Sequence, residues 1–211
     1  MKLLQNILTV VIVFTSIQNT IAQEINTSIK LKIPVFEKTT IIVEPEYTQN
    51  DFQTYQGTFS YNTDIRFKHS KRFQTEIGSS FKSKIDSNKD NEFISDNGFL
   101  HFDIIYSFPN TLNDVKFQYR YRYQTNFEKR YIRSKLECTQ KGYEYIEPYA
   151  SAEVYYSIME ETIPKTKIKM GLKQSINKKF TIEEFFEIDT KIKRQSITNS
   201  YCLGLSLGIQ L

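Results

Sequence analysis

The sequence predicts an all-β fold: a closed antiparallel transmembrane-type β-barrel of ten to twelve strands, preceded by a cleaved N-terminal signal helix. Three observations carry this. Apolar and polar residues alternate with period two from residue 25 onward. The alternating segments run well past the 5–6 residues usual for strands of soluble domains. An export signal precedes them.

That signal occupies residues 1–22. Lys2 gives a short basic start, Ile7 to Ile17 form an apolar core, and Thr20 and Ala22 are the small residues before a cut after Ala22. The core is too short for a stable membrane anchor, and no Cys follows the cut to take a lipid. Residues 23–211 then form one barrel domain.

The segments follow in order. Ile25, Thr27, Ile29, Leu31, Ile33 and Val35 alternate with Asn26, Ser28, Lys30, Lys32 and Pro34. Further segments fall at about 39–48, 55–68, 72–85 and 98–108. In the next, Val115, Phe117, Tyr119, Tyr121, Tyr123, Thr125 and Phe127 alternate with Lys116, Gln118, Arg120, Arg122, Gln124, Asn126 and Glu128. Others lie near 130–141, 145–158, 165–176 and 180–190, and the last sets Tyr201, Leu203, Leu205, Leu207, Ile209 and Leu211 against Cys202, Gly204, Ser206, Gly208 and Gln210. A strand puts the two sets on opposite faces, whereas a helix would scatter them. Tilted strands crossing a bilayer need about 9–11 residues.

Short polar turns are expected near 36–38, 69–72, 109–110 and 177–179, with longer loops at 49–54, 86–97, 159–164 and 191–198. Eleven segments conflict with the even strand numbers of single-chain bacterial barrels. With the last strand ending in the periplasm, the 36–38 turn is periplasmic and the first segment would begin outside. Ten or twelve strands would remove the conflict.

Composition bounds function. The chain has 211 residues, 28 Lys+Arg against 24 Asp+Glu, two His, two Cys and no Trp. Its weak, evenly mixed basic charge does not suit nucleic acid. Fourteen Tyr and sixteen Phe rule out a disordered chain. Cys138 falls on the apolar face and Cys202 on the polar face, so both are expected to be free.

The polar face carries Glu44, Glu46, Arg66, Lys68, Glu76, Asp103, Arg120, Arg122, Arg133, Lys135, Glu137, Glu147 and Glu153. Strand length and these charges argue for an oily face turned outward to lipid, in the outer membrane of a Gram-negative bacterium. Tyr47, Tyr55, Phe67, Phe73, Phe127, Tyr131 and Tyr145 would form its aromatic girdles. Glu184 is the exception: it would face lipid unless a bulge at Glu183-Glu184 turned Phe185 outward.

The run Arg120-Tyr121-Arg122-Tyr123-Gln124-Thr125-Asn126-Phe127, followed by Arg130-Tyr131-Ile132-Arg133-Ser134-Lys135-Leu136, resembles the R-x-R…R-x-R hairpin of a Gram-negative outer-membrane barrel family. Pro148-Tyr149-Ala150-Ser151-Ala152-Glu153, with its lumen Glu153, resembles that family too. It is catalogued as domain of unknown function 2490. The resemblance implies a barrel fold and that location over nearly the whole exported chain, and no known activity.

Inside the barrel, Arg120, Arg122, Arg133, Lys135, Glu137 and Glu153 are expected to form a lumen-filling ion-pair network. A hairpin turning symmetrically about Lys129-Arg130 would set Arg122 opposite Glu137 and Asn126 opposite Arg133. A basic patch for a small anionic solute is the alternative, and a soluble lipocalin-like binder is a further one. Catalysis is not expected. Inward His101 has Asp103 and Ser107 along its strand, but Ser107 is about 20 Å away at about 3.3 Å per residue, which leaves a cross-sheet serine such as Ser80. No metal-ligand spacing and no phosphate loop appear, so no cofactor is expected. The expected partners are outer-membrane lipid and the barrel-assembly machinery, with the barrel a monomer.

Overall fold

The computed structural model describes residues 23–51, 56–85, 93–108, 115–125, 129–141, 145–193 and 196–211. The expected signal peptide, the 109–110 turn, Tyr55 and Phe127 lie outside the described residues. Among the described residues every regular element is a strand. They are β1 (Glu24–Phe36), β2 (Thr39–Asp51), β3 (Gln56–Lys68), β4 (Phe73–Ile85), β5 (Phe93–Ser107), β6 (Val115–Thr125), β7 (Arg130–Gln140), β8 (Ile146–Ser157), β9 (Thr162–Ser175), β10 (Phe180–Lys193) and β11 (Ser196–Gln210). Each strand pairs with its neighbour in sequence, and β1 closes on β11 into a barrel.

Eleven strands fall within the expected range, but the number is odd and the sheet is not antiparallel throughout. An odd count leaves β1 and β11 pointing the same way, so the seam is parallel, running from Glu24↔Cys202 to Lys32↔Gln210. Parallel strands form evenly spaced, slanted hydrogen bonds rather than alternating pairs. Gln23 N–H donates to the Tyr201 carbonyl and Leu211 N–H to that of Lys32, each at 3.0 Å, extending the seam at both ends. Ser28 also donates to Ser206 across it at 2.8 Å. The even-number expectation fails because a parallel seam closes an odd sheet as completely as an antiparallel one.

Side chains fix the turns. Asn177 accepts from the backbone N–H of Lys179 and Phe180 at 2.8 and 2.9 Å. Ser70 accepts from those of Arg72 and Phe73. Both are local side-chain turns that end one strand and launch the next. The expected long loop at 191–198 is instead largely strand, with Lys193 paired to Ser196, and that at 159–164 is half strand, because β9 begins at Thr162. Continued pairing satisfies backbone groups that an open loop would leave to water.

The alternation divides the wall into two faces. Outward residues include Ile65, Phe67, Phe73, Ile77, Phe102, Leu136, Ile168, Met170 and Leu205, all well exposed. Buried inside are Ser60, Asp64, Glu76, His101, Asp103, Thr139, Ser151 and Ser206. This inverts the soluble pattern, in which charged residues are the ones left outside. Of the aromatic residues expected near segment ends, Tyr47, Phe67, Phe73 and Tyr145 are exposed. Tyr131 instead shares the inner face with Arg133 and lies 6.4 Å from Phe99 between ring centroids. Cys138 and Cys202 are both free.

No bulge relieves Glu184. Pairing runs unbroken along β10, with Glu184 opposite Leu172 on one side and Leu205 on the other. Phe185 points inward and is buried. Its ring lies over Gly204, where an added Cβ would meet Phe185 side-chain carbons. The glycine makes room for the ring, so β10 needs no bulge and Glu184 keeps its outward place.

Candidate functional site: the charged interior

The barrel interior is organised by cross-strand rows. One row passes through Arg66, Glu76, Asp103, Arg122, Arg133, Tyr155 and Lys165 on seven successive strands. The neighbouring row includes Arg120, Lys135, Glu153, Lys167 and Asp189. Each strand contributes alternate residues to this face, so the registry of the ladder decides which charges meet.

All six network residues expected from sequence are on the inner face, but their pairings differ from expectation. Arg122 lies opposite Arg133, not Glu137, and Glu137 lies opposite Gln118. The physical reason is the turn. Pairing begins at Thr125↔Arg130, so the hairpin is not centred on Lys129-Arg130, and β7 slides along β6. The slide is by an even number of residues, which keeps every side chain on its face.

Each cation therefore finds its acid elsewhere. Arg122 donates to both oxygens of Asp103 on β5, Nε to Oδ1 at 2.6 Å and Nη2 to Oδ2 at 2.7 Å. This is the two-pronged geometry that suits guanidinium and carboxylate. Arg120 reaches Glu76 at 3.0 Å and Asp103 at 3.4 Å, and Arg66 reaches Glu76 at 3.1 Å. Arg133 pairs with Glu153 on β8 at 2.6 Å and lies over the Tyr155 ring, 4.6 Å from its centre. Glu137 takes Lys135 at 2.9 Å and Lys173 at 2.8 Å.

A second set was not assembled by sequence reasoning. Lys165 pairs with Asp189, Lys167 with Glu187, and Lys169 with Glu183, linking β9 to β10. Tyr149 donates to Glu183 at 2.5 Å, and Lys173 lies 4.2 Å from the Tyr149 ring centre. The signal was legible: Lys165, Lys167, Lys169 and Lys173 share one parity on β9, and Glu183, Glu187 and Asp189 share one on β10.

His101 is inward, as expected, with its side chain wholly buried. Its partner is neither Asp103 nor a serine. His101 Nε2 and Asp64 Oδ1 are 2.6 Å apart, while Asp103 is engaged by arginines. The Ser107 hydroxyl accepts from Gln118 at 3.5 Å. No hydroxyl or thiol is among the described partners of the histidine.

The ion pairs surround a cavity of about 310 Å³. Its walls include Lys30, Glu44, Lys82, Arg120, Arg122, Arg133, Lys135 and Tyr155. Ile42 is an apolar side chain among them. Compared with protein-family models the chain matches none, and among curated proteins it has no significant match.

Proposed function

We propose that the chain is an exported, single-domain outer-membrane β-barrel, structural in role, whose lumen is shut by its own ion pairs and hosts no reaction. One observation carries the reading: apolar side chains face out and charged ones face in along strands of 11 to 15 residues. At about 3.3 Å per residue and a tilt near 45°, such strands rise roughly 25–35 Å, the height of a lipid-facing apolar band. A lipocalin-like soluble barrel would turn the apolar set inward.

In this proposal residues 1–22 direct export, the assembly machinery inserts the barrel into the outer membrane of a Gram-negative bacterium, and it stands there as a monomer. Membership of the family catalogued as domain of unknown function 2490 belongs to the same proposal, on the arginine-bearing hairpin at 120–136. His101 is held by the Asp64 carboxylate at 2.6 Å, which supports a structural role for this buried pair.

Membrane fractionation and gel mobility test it. The protein is expected in the outer-membrane fraction, migrating faster unheated than boiled. Recovery in the soluble periplasm without a heat-dependent shift would refute the reading. In planar bilayers no steady conductance is expected, and regular anion-selective steps would replace the shut lumen with a conduit.

A further inference from the structure

The inner wall sets cation against cation at its centre. Arg120 lies directly opposite Lys135, and Arg122 directly opposite Arg133, on the adjacent strands β6 and β7. Like charges facing each other in a sheet are destabilising. Their acids do not stand between them: Glu76 and Asp103 lie on the β4–β5 side, and Glu153 lies on β8. Lys135 takes Glu137 along its own strand. The gap between the two facing pairs is left positive.

Depth sharpens the imbalance. Arg120 has 28% of its side chain accessible, against 1% for Glu76. Arg122 has 12% against 0% for Asp103, and Arg133 23% against 11% for Glu153. Each carboxylate is less accessible than its cation; Glu76 and Glu153 also line the cavity, where cations outnumber carboxylates. All four heads line the 310 Å³ cavity. Lys82 enters it from β4 without an ion pair among the described residues. In its row Ser60 separates it from Glu46.

We propose that this cavity binds a small soluble oxyanion with two or more negative charges, of the phosphate or pyrophosphate class. Arg120, Arg122, Arg133 and Lys135 hold it, and Lys82 closes on it from β4. A tetrahedral oxyanion offers several acceptors, and each guanidinium carries five N–H donors in a fork that suits such oxygens. It also relieves the facing like charges, which a monovalent spherical ion does less well. The volume stands at the small end of ligand pockets, about 300–1,000 Å³, which excludes a phospholipid. The site rests on the interior alone and stands whether or not the barrel lies in a membrane.

The full-length barrel, refolded in a nonionic detergent, is titrated with sodium pyrophosphate and with inorganic phosphate by calorimetry at constant ionic strength in chloride. Saturable one-to-one binding is expected. Lys82→Gln breaks no described ion pair, so it should keep the wild-type unfolding midpoint while weakening pyrophosphate about tenfold, the loss of one charge-assisted contact. Lys178→Gln, in the turn between β9 and β10, should leave affinity unchanged. No saturable binding at millimolar anion would overturn the proposal, as would equal affinity in wild type and Lys82→Gln.

Discussion

His101 on β5 reaches across the whole width of β4 to meet Asp64 on β3, Nε2 to Oδ1, at 2.6 Å. Gly78 is the residue crossed: it pairs with Asp64 on one side and His101 on the other. A Cβ at Gly78 would collide with both the Asp64 carboxylate and the His101 ring. Gly78→Ala should therefore destabilise the barrel by about 1–3 kcal/mol, as overpacking of a filled interior does. Denaturant unfolding in detergent measures it. An unchanged midpoint would mean that the bridge does not form.

The parallel seam predicts a cross-link. Ser28 and Ser206 are direct partners and already share a hydrogen bond. In a chain with Cys138 and Cys202 replaced by serine, Ser28→Cys with Ser206→Cys should oxidise to an internal disulfide, read as a redox-dependent gel shift. Thr27→Cys with Ser206→Cys points the two thiols to opposite faces and should not. Cross-linking of the second pair alone would show that the seam has another register.

Charge exchange tests which acids the arginines of β6 and β7 meet. Arg133→Glu or Glu153→Arg alone should cost about 3–5 kcal/mol, because each leaves a buried charge beside a like one. The double exchange should recover most of that loss in a mutant cycle. Arg122→Glu with Glu137→Arg should show no such recovery, since Arg122 pairs with Asp103, and Glu137 with Lys135 and Lys173. Recovery in the second cycle would restore the symmetric hairpin.

Glu184 offers a direct probe of what surrounds the wall. It stands between Leu172 and Leu205 on the outward face. If that face meets hydrocarbon, Glu184→Leu should raise the unfolding free energy in bilayers, and Glu184→Lys should lower it by about 2–4 kcal/mol relative to leucine. Equal stability of all three would place the residue in water.

Much of this was legible because one rule, period-two alternation, assigns both strand and face. Segments 55–68, 72–85 and 130–141 match β3, β4 and β7 within a residue or two. Parity also put Arg120, Arg122, Arg133 and Lys135 inside. Parity carries no register, however, and a slide by an even number of residues leaves it intact. The Arg122–Asp103 and Arg133–Glu153 pairs were thus beyond it. The Asp64–His101 bridge was further out of reach, since it spans 37 residues and depends on a third residue having no side chain. Glu184 shows the opposite error: a penalty on one outward carboxylate suggested a bulge, but the space that Gly204 opens for Phe185 fixed the strand.

An odd strand number also decides where the chain comes and goes. In a barrel with an even count, first and last strands run in opposite senses and both ends leave by one rim. Here β1 begins at the rim shared by the β6–β7 and β10–β11 connections, while β11 finishes at the rim of the β1–β2 and β9–β10 turns. The polypeptide threads the cylinder once in net terms, entering at one mouth and leaving at the other. Labels fused before Glu24 and after Gln210 therefore report from opposite sides of any layer the cylinder crosses.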